Sequence, residues 1–92
     1  MAKKVDYNQK EIVNALRKMG VTVHVTSDIG KGFPDLVVSV RGRIWLIEIK
    51  NGMLSPSRQR LTDKEQEFHQ LWKDHIKIIN SVQKAIEFVN NA

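Results

Sequence analysis

Apolar positions recur along this chain in two rhythms, and the switches between them mark its elements. Ile12, Val13, Leu16 and Met19 fall at helical spacing and stop at Gly20, which predicts a helix over residues 6–19. Residues 21–26 are a β-prone run, followed by the glycine-containing loop Ser27-Asp28-Ile29-Gly30-Lys31-Gly32. Val37-Val38-Ser39-Val40 and Ile44-Trp45-Leu46-Ile47 are β-branched and aromatic runs that read as strands. Residues 51–60 form an irregular, basic loop containing Ser55-Pro56. Thr62-Asp63-Lys64-Glu65 has the form of a capping box, and the helix it opens carries Phe68, Leu71 and Trp72 on one side. Ile76-Lys77-Ile78-Ile79 is a short strand, and a last helix begins near Asn80 or Ser81 with Val82, Ala85, Ile86 and Val89 facing inward. The unit from Ile44 to Ile79 has the length of a right-handed parallel crossover. The expectation is an α/β domain of order αβββαβα: a mixed four-stranded sheet with helices on both faces.

Arg41-Gly42 separates the two hairpin strands, with glycine free to take the positive φ of a tight turn. A two-residue loop pairs Val40 with Arg43, and counting outward sets Asp35 opposite Glu48. Opposed residues share a face, with Cβ atoms about 4.5–5.5 Å apart. Lys50, two residues past Glu48, shares that face. Leu36, Val38, Val40, Trp45, Ile47 and Ile49 make the other face wholly apolar. The face with Val37, Ile44 and Leu46 ends in an ionic cluster. Two ionised carboxylates about 5 Å apart repel by about 3 kcal/mol at an effective dielectric near 20. Lys50 offsets part of this, and a divalent cation would offset more; oxygen donors with no cysteine nearby suit Mg²⁺ or Mn²⁺ better than zinc.

Composition narrows the setting. Ninety-two residues make one domain, residues 1–92, with 41% hydrophobic and 27% charged residues, ordinary for a globular chain. No stretch approaches the roughly 20 apolar residues of a membrane span, and Met1-Ala2-Lys3-Lys4 precedes no signal-peptide core. The absence of cysteine excludes disulfides and cysteine-based sites and fits a cytoplasmic location. A net charge of +5 suits a polyanionic partner, and the excess lies in the first fifty residues, nine Lys/Arg against five acids.

Pro34-Asp35 followed by Glu48-Ile49-Lys50 on the next strand resembles the PD-(D/E)XK nuclease signature. Gly32-Phe33-Pro34-Asp35, Ile47-Glu48-Ile49-Lys50, Leu61-Thr62 and Gln66 resemble more narrowly the VRR-NUC group, over nearly the whole chain. The resemblance implies a restriction-endonuclease-like fold and a metal-dependent DNA endonuclease. It implies Asp35, Glu48 and the main-chain carbonyl of Ile49 as ligands of Mg²⁺ or Mn²⁺, with Glu11 reaching the metal from the first helix. Lys50 would orient or help deprotonate the attacking water and stabilise charge on the phosphate; Gln66 would position Lys50 or the substrate. It also implies a homodimer cutting branched DNA such as four-way (Holliday) junctions, with no small-molecule cofactor and no membrane.

The chemistry is coherent without the name. Phosphodiester hydrolysis needs a nucleophile at neutral pH and neutralisation of charge on the phosphate, and a metal held by acids supplies both. Lys31, Arg41, Arg43, Arg58 and Arg60 are loop cations that, as a set, are candidates for backbone-phosphate contacts. His24, His69 and His75 lack metal-ligand spacing, and Trp45 and Trp72 read as core. Rival readings are a flap-specific nuclease or exonuclease, a non-catalytic DNA-binding module, and a structural domain with a Glu48–Lys50 ion pair. Charge alone does not separate RNA from DNA.

Overall fold

The computed structural model describes residues 6–92; Met1-Ala2-Lys3-Lys4 lies outside them. The elements run α1 (Gln9–Lys18), β1 (Thr22–Val25), β2 (Leu36–Val40), β3 (Arg43–Ile49), a 3-10 turn (Pro56–Gln59), α2 (Asp63–Leu71), β4 (Ile76–Ile79) and α3 (Val82–Asn91). The sheet order is β1-β2-β3-β4, antiparallel for the first two pairs and parallel for β3 with β4. This is the expected mixed α/β sheet in the expected order. None of the described helices is long and apolar enough to cross a membrane.

The hairpin register follows from its turn. Arg41 and Gly42 both take positive φ, 50° and 82°, as a type I′ turn requires, and Val40 pairs with Arg43. Pairing continues to Leu36 with Ile47, so the next position outward sets Asp35 beside Glu48. Pro34 lacks an N–H and ends the ladder there. β1 is held against the same end, where Thr26 N–H donates to the Asp35 carbonyl at 2.7 Å.

One face of the sheet packs Val23, Leu36, Val38, Val40, Ile47, Ile49 and Ile79 under α1 and α3, which contribute Ile12, Val13, Leu16, Ala85 and Val89. Met19, Trp45 and Val82 pack against this core while only partly buried. Helix α1 starts later than expected, at Gln9; the Asn8 side chain donates to the carbonyls of Lys50 and Asn80, just past β3 and β4, and does not cap its own helix.

The second face carries Glu48 and Lys50, and α2 approaches that end through Glu65. The capping box at Thr62 and Glu65 is formed as expected. The inward side of α2 is not the expected one. Positions three and four apart share a helix face, and the inward row here is Glu65, Phe68, His69 and Trp72. Phe68 packs edge-on against Phe33 at 5.3 Å, and Trp72 stacks on Phe68 at 5.7 Å while staying half exposed. Leu71 falls off this row and is exposed. Trp72 is therefore a lid on Phe68, not a core residue.

Gly32, at φ 82°, brings the loop before β2 onto α2: a Cβ there would lie 2.7 Å from the Lys64 carbonyl oxygen. Gly30, at φ 70°, faces open space. Gly30→Ala is expected to cost about 1 kcal/mol from backbone strain alone, and Gly32→Ala at least about twice that, because backbone must move as well. Urea unfolding of the two variants checks this; equal midpoints would mean α2 does not rest on Gly32.

Candidate functional site

Four side chains from three elements meet where β3 ends. Asp35 precedes β2, Glu48 and Lys50 stand at the end of β3, and Glu65 comes from the first turn of α2. All three acids are buried, at 3%, 1% and 4% exposure. Such groups are expensive to bury unless they are paired, and the pairing is visible. Asp35 Oδ2 accepts the Ile49 N–H at 2.8 Å, so the carboxylate takes up a main-chain donor of β3. Lys50 Nζ lies 2.8 Å from Glu65 Oε1 and 3.8 Å from Glu48 Oε2. The sequence-predicted trio is thus brought together, with both acids beside the ammonium-bearing strand end.

Glu65 is the member that the sequence did not announce as a site residue. Its Oε1 accepts from Lys50 and also from the Thr62 N–H at 2.9 Å, while its own N–H donates to Thr62 Oγ1. One carboxylate therefore caps α2 and fixes Lys50. Burial alone would raise its pKa; the Lys50 hydrogen bond, the Thr62 N–H, the Lys50 charge and a hydrogen bond with Glu48 outweigh that and bring it from 4.5 down to about 2. The available signal was the capping box itself, whose glutamate sits fifteen residues after the lysine it holds.

The other predicted positions separate. Gln66 is rotated about 100° around α2 from Glu65 and is exposed, so the position that positions Lys50 is Glu65. Glu11 is exposed on α1, three residues after Asn8, whose Nδ2 donates to the Lys50 carbonyl at 3.1 Å. The first helix thus does reach the site, through the Asn8 amide bonding the main chain at Lys50.

The loop cations divide in two. Arg41 and Arg43 sit at the turn, six residues along the hairpin from Asp35 and so roughly 20 Å away. Arg41 is also committed elsewhere: its Nη2 donates to the carbonyl of Val89 at 2.8 Å and to that of Ala92, covering the C-terminal end of α3. Neither flanks the site as the sequence suggested. Lys31 lines a hollow of about 450 Å³ with Thr62 and Glu65, and Arg58 and Arg60 are exposed on the segment joining Lys50 to Thr62.

The donor set suits a hard cation. Among the described residues no three His, Cys, Asp or Glu side chains are arranged to hold a metal, and Glu65 is engaged with Lys50. Asp35, which accepts the Ile49 N–H, Glu48, beside Lys50, and the Ile49 carbonyl are the oxygens gathered at the end of β3. A strand residue's N–H and C=O lie on the same edge, so the Ile49 carbonyl shares the edge where its N–H meets Asp35. Two carboxylates and one carbonyl fit Mg²⁺ or Mn²⁺, which keep several water or phosphate oxygens.

Comparisons of the chain with models of known families, with curated proteins and with solved structures find no match.

The depressed Glu65 pKa has a stability consequence with a definite sign. A carboxylate whose folded pKa lies below its unfolded value stabilises the fold above the unfolded value and loses that contribution as pH falls through the folded one. From 4.5 to about 2 this amounts to about 3 kcal/mol. Denaturant unfolding from pH 6 to pH 2 is expected to show that loss in the native protein, and Glu65→Gln is expected to lack it while being less stable at pH 6. A variant with the native pH profile would contradict the ion pair.

Proposed function

We propose that this chain is a metal-dependent DNA endonuclease of the VRR-NUC type within the PD-(D/E)XK nucleases, acting as a homodimer on branched DNA such as four-way junctions. The observation that carries the reading is the convergence of buried Asp35 and Glu48 with Lys50 at the open end of β3. A purely structural hairpin gains nothing from burying two acids side by side, since a buried ion pair is often no better than apolar packing.

Asp35, Glu48 and the Ile49 carbonyl would hold the cation, which when bound supplies Lewis acidity and a nucleophile at neutral pH. The Ile49 N–H fixes one Asp35 oxygen and so orients the carboxylate. Lys50, held by Glu65 at 2.8 Å, is a preorganised cation that stabilises charge building on the phosphate. Its ammonium keeps further N–H donors for a water or a phosphate oxygen. Thr62, through the cap, keeps Glu65 in place. Lys31, Arg58 and Arg60 contact phosphates and carry no sequence information. Duplex DNA needs one cut per strand and the described residues hold one such cluster, so two copies serve a paired cleavage.

A second reading, a DNA-binding module without catalysis, is favoured by the engagement of Lys50 with Glu65 before any substrate arrives. Incubation of four-way junction, flap, duplex and single-stranded DNA with Mg²⁺ and with Mn²⁺ separates the two. Cleavage of branched DNA is expected, reduced at least about a hundredfold by Asp35→Ala or Lys50→Ala with DNA binding retained. Binding without cleavage of any substrate would leave the second reading.

A further inference from the structure

The chain leaves the site at Lys50 and returns to it at Thr62, and the stretch between holds Arg58 and Arg60 and no acid. A loop of this kind is ordinarily mobile. Here it is tied down at several points. Asn80, just past β4, donates its Nδ2 to Gln59 Oε1 at 2.9 Å, and Gln59 Nε2 donates to the Leu54 carbonyl at 2.6 Å. The Asn80 carbonyl in turn accepts from Asn8 Nδ2 at 3.1 Å, the same amide that bonds the Lys50 carbonyl. Gly52 lies against Asn80 so closely that a Cβ would come within 2.3 Å of its carbonyl oxygen. Within the segment, Arg58 N–H donates to the Ser55 carbonyl at 2.9 Å, and Pro56 opens the 3-10 turn that carries Arg58.

We infer that this segment is a fixed phosphate-binding arm, and that Gln59 and Asn80 are the positioning residues that hold Arg58 and Arg60 against the DNA backbone beside the site. The inference rests on the DNA-cleaving reading and adds to it which residues set the substrate's placement. A flexible loop loses backbone conformational entropy at every residue that is ordered, and that cost is subtracted from binding. An arm ordered beforehand avoids it. Gln59 lies between two arginines in sequence yet turns its amide to the protein, while both arginines stay exposed. Loss of the Gln59 bonds therefore weakens binding through the arginines and leaves the acids and Lys50 in place.

The test pairs Gln59→Ala with the double variant Arg58→Ala/Arg60→Ala and with the triple variant, using a four-way DNA junction with Mg²⁺ for KM and kcat, and hydrogen exchange without DNA. Gln59→Ala is expected to speed amide exchange over residues 52–60 and to raise KM about tenfold with kcat held, and to add nothing on the double-variant background. Asn80→Ala, which breaks the same bond from its other end, is expected to give the same pattern. Unchanged exchange and KM in Gln59→Ala would overturn the inference, and so would a tenfold effect that persists without the arginines. A native protein that neither binds nor cuts the junction would overturn the DNA reading itself and the arm's function with it, a result distinct from either.

Discussion

Burying Asp35, Glu48 and Glu65 in one small volume is unfavourable on two counts, loss of hydration and mutual repulsion. The Lys50 ammonium is the group that makes the arrangement tenable, 2.8 Å from Glu65 and 3.8 Å from Glu48. Its position depends in turn on two backbone devices. The positive-φ pair Arg41 and Gly42 sets the hairpin register that puts Asp35 beside Glu48. The Thr62 cap sets the first turn of α2, which delivers Glu65. A one-residue slip in the first would turn Glu48 and Lys50 to the apolar face. Release of the second would leave Lys50 without its closest partner.

The same cluster explains how a chain of 92 residues combines a stable fold with an ionic site. The apolar burden falls on one face, where α1 and α3 cover the sheet. The other face is only lightly covered, so Ile44 and Ile78 stay more than half or about half exposed, at 64% and 50%. On that lightly covered side, α2 is attached by polar contacts, by the Phe33–Phe68 pair and by the close approach of Gly32. Charge is therefore placed where burial is least needed for stability, at the ends of parallel strands, where open α/β sheets bind their ligands.

Much of this was legible in the sequence, and the reasons are local. Gly42 between two β-branched runs fixes a two-residue turn, and the turn fixes the register, so the opposition of Asp35 and Glu48 follows by counting. The Thr62–Glu65 box marks the start of α2 without ambiguity. What escaped were long-range uses of polar side chains. Glu65 looked like a cap because a cap needs only Thr62; its second partner lies fifteen residues away and is brought near by the crossover. Arg41 looked like a free loop cation, yet carbonyls at the end of α3, 48 residues on, capture it. Asn8 falls inside the helix expected over residues 6–19, but its amide joins the ends of β3 and β4. Leu71 looked inward because apolar periodicity was counted from Phe68, whereas the inward row begins with a carboxylate.

The central claim is that Asp35, Glu48 and the Ile49 carbonyl form a seat for a hard divalent cation beside Lys50. Titration of the protein with substoichiometric Mn²⁺, followed by paramagnetic broadening of backbone amide signals, tests it without any substrate. The account predicts that Asp35, Glu48, Ile49 and Lys50 broaden first and together, and that Asp35→Asn abolishes this. Broadening that begins at exposed acids such as Asp74 or Glu87 and spares the end of β3 would contradict it.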